Sequence, residues 1–413
     1  MQCHLSLRCH RFKRLFNYAL KGVFAIKFTL LITQRCNLAC AYCYVTKKPA
    51  SMAMGTAEKV IDFVFGKARK GEKNHIGFFG GEPLLEFGLL RQIMEAFERH
   101  PSFSQFEMDF NVVSNGTIFS DEIADYLLAH RICYCLSCDG GSSAQDAFRR
   151  FPDGGGTSHI VGETIRKAMA RLPLVLVNAV YTPRTLPLLP DTVRYFMGHG
   201  LRQIYLSADY SAPWQPQHIP TLDSVLAQLA DIYIDSYRKG RPVYISMLDD
   251  KIAVILRGGY RPEERCQMGI KELAFTPDGD IFPCERLVYG GDPASGHCIG
   301  HIDTGIDLSR LNCHIRAEGG SNDGGSGNDG SGNDGDNGNP CLACSIRQYC
   351  LNWCGCSNFH ATGYYNRAGA YLCAEEKASI RTAFQVMETL EGEMPGVFSA
   401  HAAGLTSLNI WRY

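Results

Sequence analysis

Between residues 25 and 240 short apolar runs alternate with amphipathic segments. Phe24–Ile32, His75–Phe79, Asp109–Val113, Ile132–Leu136, Leu174–Tyr181 and Gln203–Ser207 read as strands: brief, rich in β-branched and aromatic residues, and bounded by turn formers. Gly55–Lys70, Glu86–Arg99, Asp121–His130, Gly162–Arg171, Pro190–His199 and Thr221–Lys239 read as helices, with apolar residues three and four apart. Strand–helix alternation at this spacing predicts an α/β fold built on a parallel sheet, curled into an open or closed barrel. In barrels of this class chemistry sits on the loops at the carboxyl ends of the strands. After about residue 240 the periodicity breaks, and turns, glycines and cysteines dominate as far as Cys373. Ala374–Leu390 reads as a further amphipathic helix and the remainder, to Tyr413, as a tail.

This pattern divides the chain into a basic extension (1–24), a barrel (25–240), a cysteine-rich region (241–373) and a terminal helix and tail (374–413). The extension carries Arg8, Arg11, Lys13, Arg14 and Lys21 with no acidic residue before Glu58, and reads as a solvated lead-in; a docking surface for an acidic partner is the alternative. Within the cysteine-rich region, 319–339 is built only of Gly, Ser, Asn and Asp and can bury no apolar surface, so it reads as a flexible loop. A calcium-binding β-roll fits it less well, because each turn of such a roll needs an apolar position that is missing here.

Lys+Arg number 41 against 42 Asp+Glu, so no general nucleic-acid binder is expected. The longest early apolar stretch, Gly22–Ile32, is interrupted by Lys27 and is too short to span a bilayer, so no membrane association is expected. The N-terminus lacks an apolar core with a small-residue cleavage site, which points to the reducing cytoplasm. There, 18 cysteines more often bind metal than form disulfides.

Directly after the first strand stand Cys36, Cys40 and Cys43 in CxxxCxxC spacing. Three thiolates on one tight loop can hold three irons of a 4Fe–4S cubane and leave the fourth without a protein ligand, a site for chemistry rather than for cross-linking. After the second strand comes Gly80-Gly81-Glu82-Pro83. Glycines let backbone approach a ligand, a carboxylate accepts bonds from an ammonium group, and Pro83 also suits a helix start. Together these motifs resemble the radical S-adenosylmethionine (radical SAM) superfamily, and the resemblance extends over the whole barrel region. It implies a partial (β/α)6 TIM-like barrel that binds S-adenosylmethionine through Gly80, Gly81, Glu82 and Pro83. Tyr42 falls at the aromatic position near the adenine, Ser137 at the ribose-contacting serine, and Arg149 at the arginine that pairs with the methionine carboxylate. Gln145-Asp146 stands where the superfamily often has His-Asp. Asn115 either lines the pocket or belongs to an ordinary Asn-Gly turn.

Downstream, Cys266 and Cys284 flank FTPDGDIFP, whose Asp278-Gly279 is a hairpin turn that draws the two thiols together. Cys341, Cys344, Cys350, Cys354 and Cys373 follow. The seven positions resemble the SPASM pattern of radical SAM enzymes that modify peptides and proteins; structural zinc sites are the alternative, since thiolates serve both metals. The resemblance implies auxiliary cluster I on Cys266, Cys284 and Cys354, and auxiliary cluster II on Cys341, Cys344, Cys350 and Cys373, hence three 4Fe–4S clusters in all. Some relatives supply a fourth ligand to cluster I at the position of Tyr260 here, so cluster I has an open iron unless Cys298, Cys313 or Cys356 fills it. Glu285, which follows Cys284, falls where sulfatase-maturating relatives carry a general base; an exposed surface glutamate is the alternative. Cys133 and Cys135 share strand parity with Ser137 and are expected to face the barrel interior, as small core residues.

The resemblance implies an oxidoreductase that reductively cleaves S-adenosylmethionine and abstracts hydrogen from a peptide or protein side chain. The leading expectation is maturation of a ribosomally made peptide by a thioether or carbon–carbon link. Anaerobic sulfatase maturation to formylglycine is the second, and a non-catalytic iron–sulfur scaffold or electron carrier the third. A flavodoxin or ferredoxin is the expected reductant. With the barrel beginning about residue 25, a leader peptide is expected to be read by a separate binding protein, by the barrel mouth, or not at all.

Overall fold

The first strand, β1 (Phe24–Thr33), shows how the alternation builds the core. Ile26, Phe28, Leu30 and Ile32 are buried on one face, in the main apolar core. Lys27, Thr29 and Leu31 occupy the other face, as the two-residue period of a strand requires. The computed structural model describes residues 24–288, 296–310 and 340–406; the basic extension up to residue 23, the 319–339 segment, Cys3, Cys9 and Cys313 lie outside these ranges.

Beside β1 run β2 (Lys73–Gly80), β3 (Glu107–Ser114), β4 (Ile132–Ser137), β5 (Val175–Tyr181), β6 (Gln203–Ala208) and β7 (Tyr244–Ile245), in chain order. Each is parallel to its predecessor. The connections carry α1 (Met54–Lys67), α2 (Phe87–Arg99), α3 (Asp121–Ala129), α4 (Ser142–Phe148), α5 (Ser158–Arg171), α6 (Leu189–Gly198) and α7 (Ile219–Arg238). The six strands expected over the barrel are all present, and the α/β parallel architecture is the one the alternation predicts. Local chemistry sets the helix starts: Ser120 accepts the Ile123 N–H at 3.2 Å ahead of α3, and Asp121 and Glu122 occupy its first turn.

On the other edge of β1 lies β8 (Glu272–Phe275), also parallel. It turns at Asp278-Gly279 into antiparallel β9 (Asp280–Phe282), then β10 (Gly300–His301) and β11 (Gly305–Ile306). The hairpin expected between Cys266 and Cys284 is thus present, and it continues the barrel sheet. Four further helices are α8 (Ser246–Leu256), α9 (Gly355–Thr362), α10 (Ala370–Glu393) and α11 (Pro395–Thr406).

Two readings of the chain after 240 are corrected. The periodicity does not break at once: Ser246–Leu256 is helical, and nine of its residues, including Asp249, Asp250 and Lys251, are buried. A helix buried all round has no polar stripe, so it carries no amphipathic signal. The stretch after Leu390 is not simply a tail, because α10 runs on to Glu393 and α11 follows. Its His401 bonds Asp249 on α8 at 2.9 Å. Among the described residues no helix is long and apolar enough to cross a membrane.

Candidate active site and metal-binding thiols

Cys36, Cys40 and Cys43 sit on the loop that leaves the carboxyl end of β1, where barrel chemistry is expected. The loop is held by its neighbours: Ala39 N–H donates to the Arg150 carbonyl at 2.7 Å and Ala41 N–H to that of Phe148 at 3.0 Å. The Lys47 ammonium donates to the Leu38 carbonyl. Cys43 is exposed and the other two are half-buried. Burial pushes the Cys40 thiol up to about 11, against the opposing pull of Arg149. Such thiols give up protons when they take a metal. Three sulfurs on one loop, one of them open to solvent, suit a cluster with one iron free of protein ligands.

The Gly80-Gly81 pair has a physical reason at the end of β2. A Cβ on Gly80 would stand 2.0 Å from the Thr33 carbonyl oxygen, and one on Gly81 2.2 Å from that of Arg35. Only glycine lets the two chains meet, through Gly81 N–H to Thr33 O and Glu82 N–H to Arg35 O, both 2.8 Å. Glu82 is fully buried. Its carboxylate accepts the N–H of Asn115 at 2.6 Å and of Leu84 at 3.0 Å. Pro83 opens a 3-10 turn in which it and Leu84 are buried. The Asn115 amide donates to Asn37 at 2.9 Å and reaches the Cys36 sulfur at 3.8 Å. The GGEP turn, the end of β3 and the cysteine loop are therefore one hydrogen-bonded unit.

On the far side of the loop, Arg149 forms an ion pair with Asp139 at 3.0 Å and lies over the Tyr42 ring at 5.3 Å. The Tyr42 hydroxyl donates to the other Asp139 oxygen. Burial opposes the guanidinium charge, but Asp139 more than offsets it and holds Arg149 above its ordinary range. Gln145 accepts the Asp139 N–H at 2.8 Å and donates to Thr157 at 3.0 Å, which explains why an amide serves at this position. Ser137 ends β4, half-buried, in register with Asn178 of β5. Tyr42 and Arg149 thus gather with Cys40, and Ser137 stands at the carboxyl end of β4.

Inside the barrel lies a second constellation. Lys27 pairs with Glu285 at 2.8 Å and Glu272 at 3.3 Å, and Cys284 Sγ reaches Glu272 at 3.6 Å. Burial opposes both charges, but the contact between Lys27 and Glu285 prevails, holding the lysine above its ordinary range and Glu285 well below the carboxylate range. Burial raises Glu272, and the neighbouring Glu285 charge adds to the shift. Glu285 is therefore not an exposed surface residue; it is a counter-ion of Lys27. Further along, His75 Nε2 bonds Asn111 Oδ1 at 3.0 Å, and Asn111 donates to Cys135 at 3.4 Å. Cys135 faces the interior as its parity predicts.

The downstream thiols gather in two places. Cys266, Cys284 and Cys354 pack together around Met268 and Leu287. Cys341 lies within electrostatic range of Cys373 and Cys344; Cys350 lies beside Glu376, one turn along α10 from Cys373. Tyr260 N–H bonds the Gln348 carbonyl at 2.9 Å, its ring meets Trp353 edge-on at 5.1 Å, and its hydroxyl accepts from the Lys251 ammonium at 3.4 Å. Sequence reasoning missed Asp139, Glu272, Arg286 and the role of Lys27. For Lys27 a signal existed: a charge inside an apolar strand demands a buried partner.

Residues 30–196 match the radical SAM superfamily. The chain is 28% identical over 269 residues to an uncharacterized protein of Methanocaldococcus jannaschii, covering 62% of this chain and 84% of that one. It is 22% identical over 310 residues to the radical SAM cyclopropyl synthase TigE of Paramaledivibacter caminithermalis, covering 68% of this chain and 61% of TigE. In fold it resembles anSMEcpe with bound AdoMet, with a TM-score of 0.70 at 17% identity over 88% of this chain and 98% of that one; anSMEcpe is also known with AdoMet and the Cp18Cys peptide. Residues 30–196 form a radical SAM domain, and the chain is a radical SAM enzyme.

Proposed function

We propose that this is a SPASM-type radical SAM enzyme that takes hydrogen from a side chain of a peptide or protein, in the maturation of a ribosomally made peptide. The observation that carries this reading is the gathering of thiols beyond the barrel, Cys266, Cys284 and Cys354 in one group and Cys341 with Cys344 and Cys373 in another, next to a polar recess. Tyr205, Ser207, Tyr210, Lys251, Arg286 and Glu375 line that recess, between the carboxyl end of β6 and helices α8 and α10. A lining of hydroxyls, cations and carboxylates suits the donors and acceptors of a peptide. The similarity to TigE, and to anSMEcpe with its bound peptide, supports the same class of substrate.

S-adenosylmethionine and the 4Fe–4S cluster on Cys36, Cys40 and Cys43, when bound, supply the hydrogen-abstracting chemistry. The protein's part is to aim it. Glu82 and Asn115 fix the cysteine loop against β3, the Tyr42–Asp139–Arg149 cluster fixes its other side, and Ser137 presents a hydroxyl at the end of β4. Two auxiliary clusters, a flavodoxin or ferredoxin as reductant, a separate leader-binding protein and a cytoplasmic location complete the reading. Glu285, held as a counter-ion, is a poor proton acceptor, which favours a cross-linking reaction over one that needs this carboxylate as base.

The test is anaerobic reconstitution followed by S-adenosylmethionine and dithionite. About twelve irons per chain and formation of 5′-deoxyadenosine are expected. Replacing Cys36, Cys40 and Cys43 together by alanine removes that product and about four irons. With a deuterated peptide encoded beside the gene, label is expected in 5′-deoxyadenosine; product formed without label transfer from any such peptide sinks the substrate class, and no product from intact clusters sinks the catalytic reading.

A further inference from the structure

Two residues after Cys354, Cys356 lies in the first turn of α9, whose N-cap is Cys354. The two sulfurs are 3.7 Å apart. The Cys356 thiol also contacts that of Cys284, and Cys266 lies against both Cys354 and Cys356. Cys356 is buried within this group, beside Met268, Leu287 and Tyr365. Four thiols therefore converge from three stretches of chain: the segment before β8, the end of β9 and the start of α9.

The surroundings suit the charge that four thiolates would carry. Arg286, half-buried, places its guanidinium beside Cys356, Cys354 and Cys284. The Gly355 N–H is directed at the Cys266 sulfur, at the positive end of α9. The residue between the two cysteines is constrained as well: a Cβ on Gly355 would stand 2.5 Å from Met268 Cε. The other described candidate, Cys298, packs elsewhere, with Leu31, Ala274 and Phe282, and its thiol bonds the Gly300 carbonyl at 3.2 Å.

We propose that Cys356 is the fourth thiolate ligand of auxiliary cluster I, closing it together with Cys266, Cys284 and Cys354. This rests on the reading that the set holds an iron–sulfur cluster. A cluster closed in this way presents no iron to a substrate thiolate, so the substrate is held by side chains alone.

The test uses the full chain with Cys36, Cys40 and Cys43 replaced by alanine, so that the auxiliary clusters alone remain, with about eight irons expected. Excess 2-mercaptoethanol is added to the reduced protein and its electron paramagnetic resonance spectrum is followed. No change is expected. Adding Cys356→Ala, or the milder Cys356→Ser, should open an iron, and the same thiol should then shift the g-values. Glu272→Gln, which alters the carboxylate nearest Cys284, should leave the spectrum insensitive to thiol. A thiol-dependent shift while Cys356 is intact overturns the proposal, as do identical spectra with and without Cys356, a shift produced by Glu272→Gln, or zinc in place of about four of the irons. The first arm needs no change at Cys356, so it tests the proposal even where a Cys356 variant fails to fold. Loss of 5′-deoxyadenosine formation by the wild-type enzyme would count against the catalytic reading and leave these spectra to decide on Cys356.

Discussion

Glu82 carries more of the site's architecture than its place in a short motif suggests. Its two oxygens join the turn after β2 to the end of β3 through the Leu84 and Asn115 N–H groups. Burial raises its carboxyl to about 7, with those two bonds opposing. A native value above the ordinary 4.5 means that the folded protein holds the proton more tightly than the unfolded chain. Its contribution to stability is then greatest at low pH and declines as pH rises from about 4.5 to about 7. Glu82→Gln cannot titrate, so the urea midpoint should lose that part of its slope, while the lost acceptor costs about 1–3 kcal/mol. An unchanged slope in the variant would place the titration elsewhere. The neighbouring glycines were legible as a motif, but their reason was not: the partners at 2.0 and 2.2 Å are backbone oxygens of the β1 loop, some 45 residues earlier by the numbering.

Among the elements, α8 is one that the chain conceals. Its charged residues sit inside the protein, and each needs a partner brought by another element. Lys251 pairs with Glu376 of α10 at 2.6 Å. The same carboxylate accepts the Leu351 N–H at 2.7 Å, directly beside Cys350. Both side chains are almost fully buried, 3% and 4% exposed. Removing one partner strands the other charge in the interior, so Lys251→Met should lower stability by about 3–5 kcal/mol. Combining it with Glu376→Gln should recover part of that loss, as read from urea denaturation of the full chain. Equal stability of wild type and Lys251→Met would show that water reaches the pair. By contrast, α3 needs no such partner to be recognised. Its Ser120 cap and the acidic first turn at Asp121 and Glu122 lie within four residues of one another, and the local pattern predicts its bounds to within a residue.

At the scale of the molecule, one sheet links the barrel to the cysteine-rich region. β8 pairs with β1 from Lys27–Glu272 to Leu30–Phe275. Leu31 and Phe79 are covered by Ala274, Phe282 and Val288. A boundary at residue 240 cuts this sheet: a fragment 24–240 keeps β1 but loses β7 and β8, exposing an apolar face and an unpaired edge. Such edges aggregate. The fragment is therefore expected to be insoluble under conditions that keep the full chain in solution, with sedimentation as the readout. A soluble, folded fragment with native far-ultraviolet circular dichroism would show that the barrel needs no cover.

The features settled by sequence alone are those whose information is local. CxxxCxxC after a strand, Gly80-Gly81-Glu82-Pro83 after the next, and the Asp278-Gly279 hairpin each span a dozen residues or fewer, and strand–helix alternation repeats on a scale that periodicity can read. Tertiary structure decided the partners of buried charges. Lys27 meets Glu285 across 258 positions of sequence, Tyr42 meets Asp139 across 97, and Cys356 meets Cys284 only because α9 packs against the end of β9. A charge or thiol taken out of water must find its partner in space, and that distance has no period along the chain.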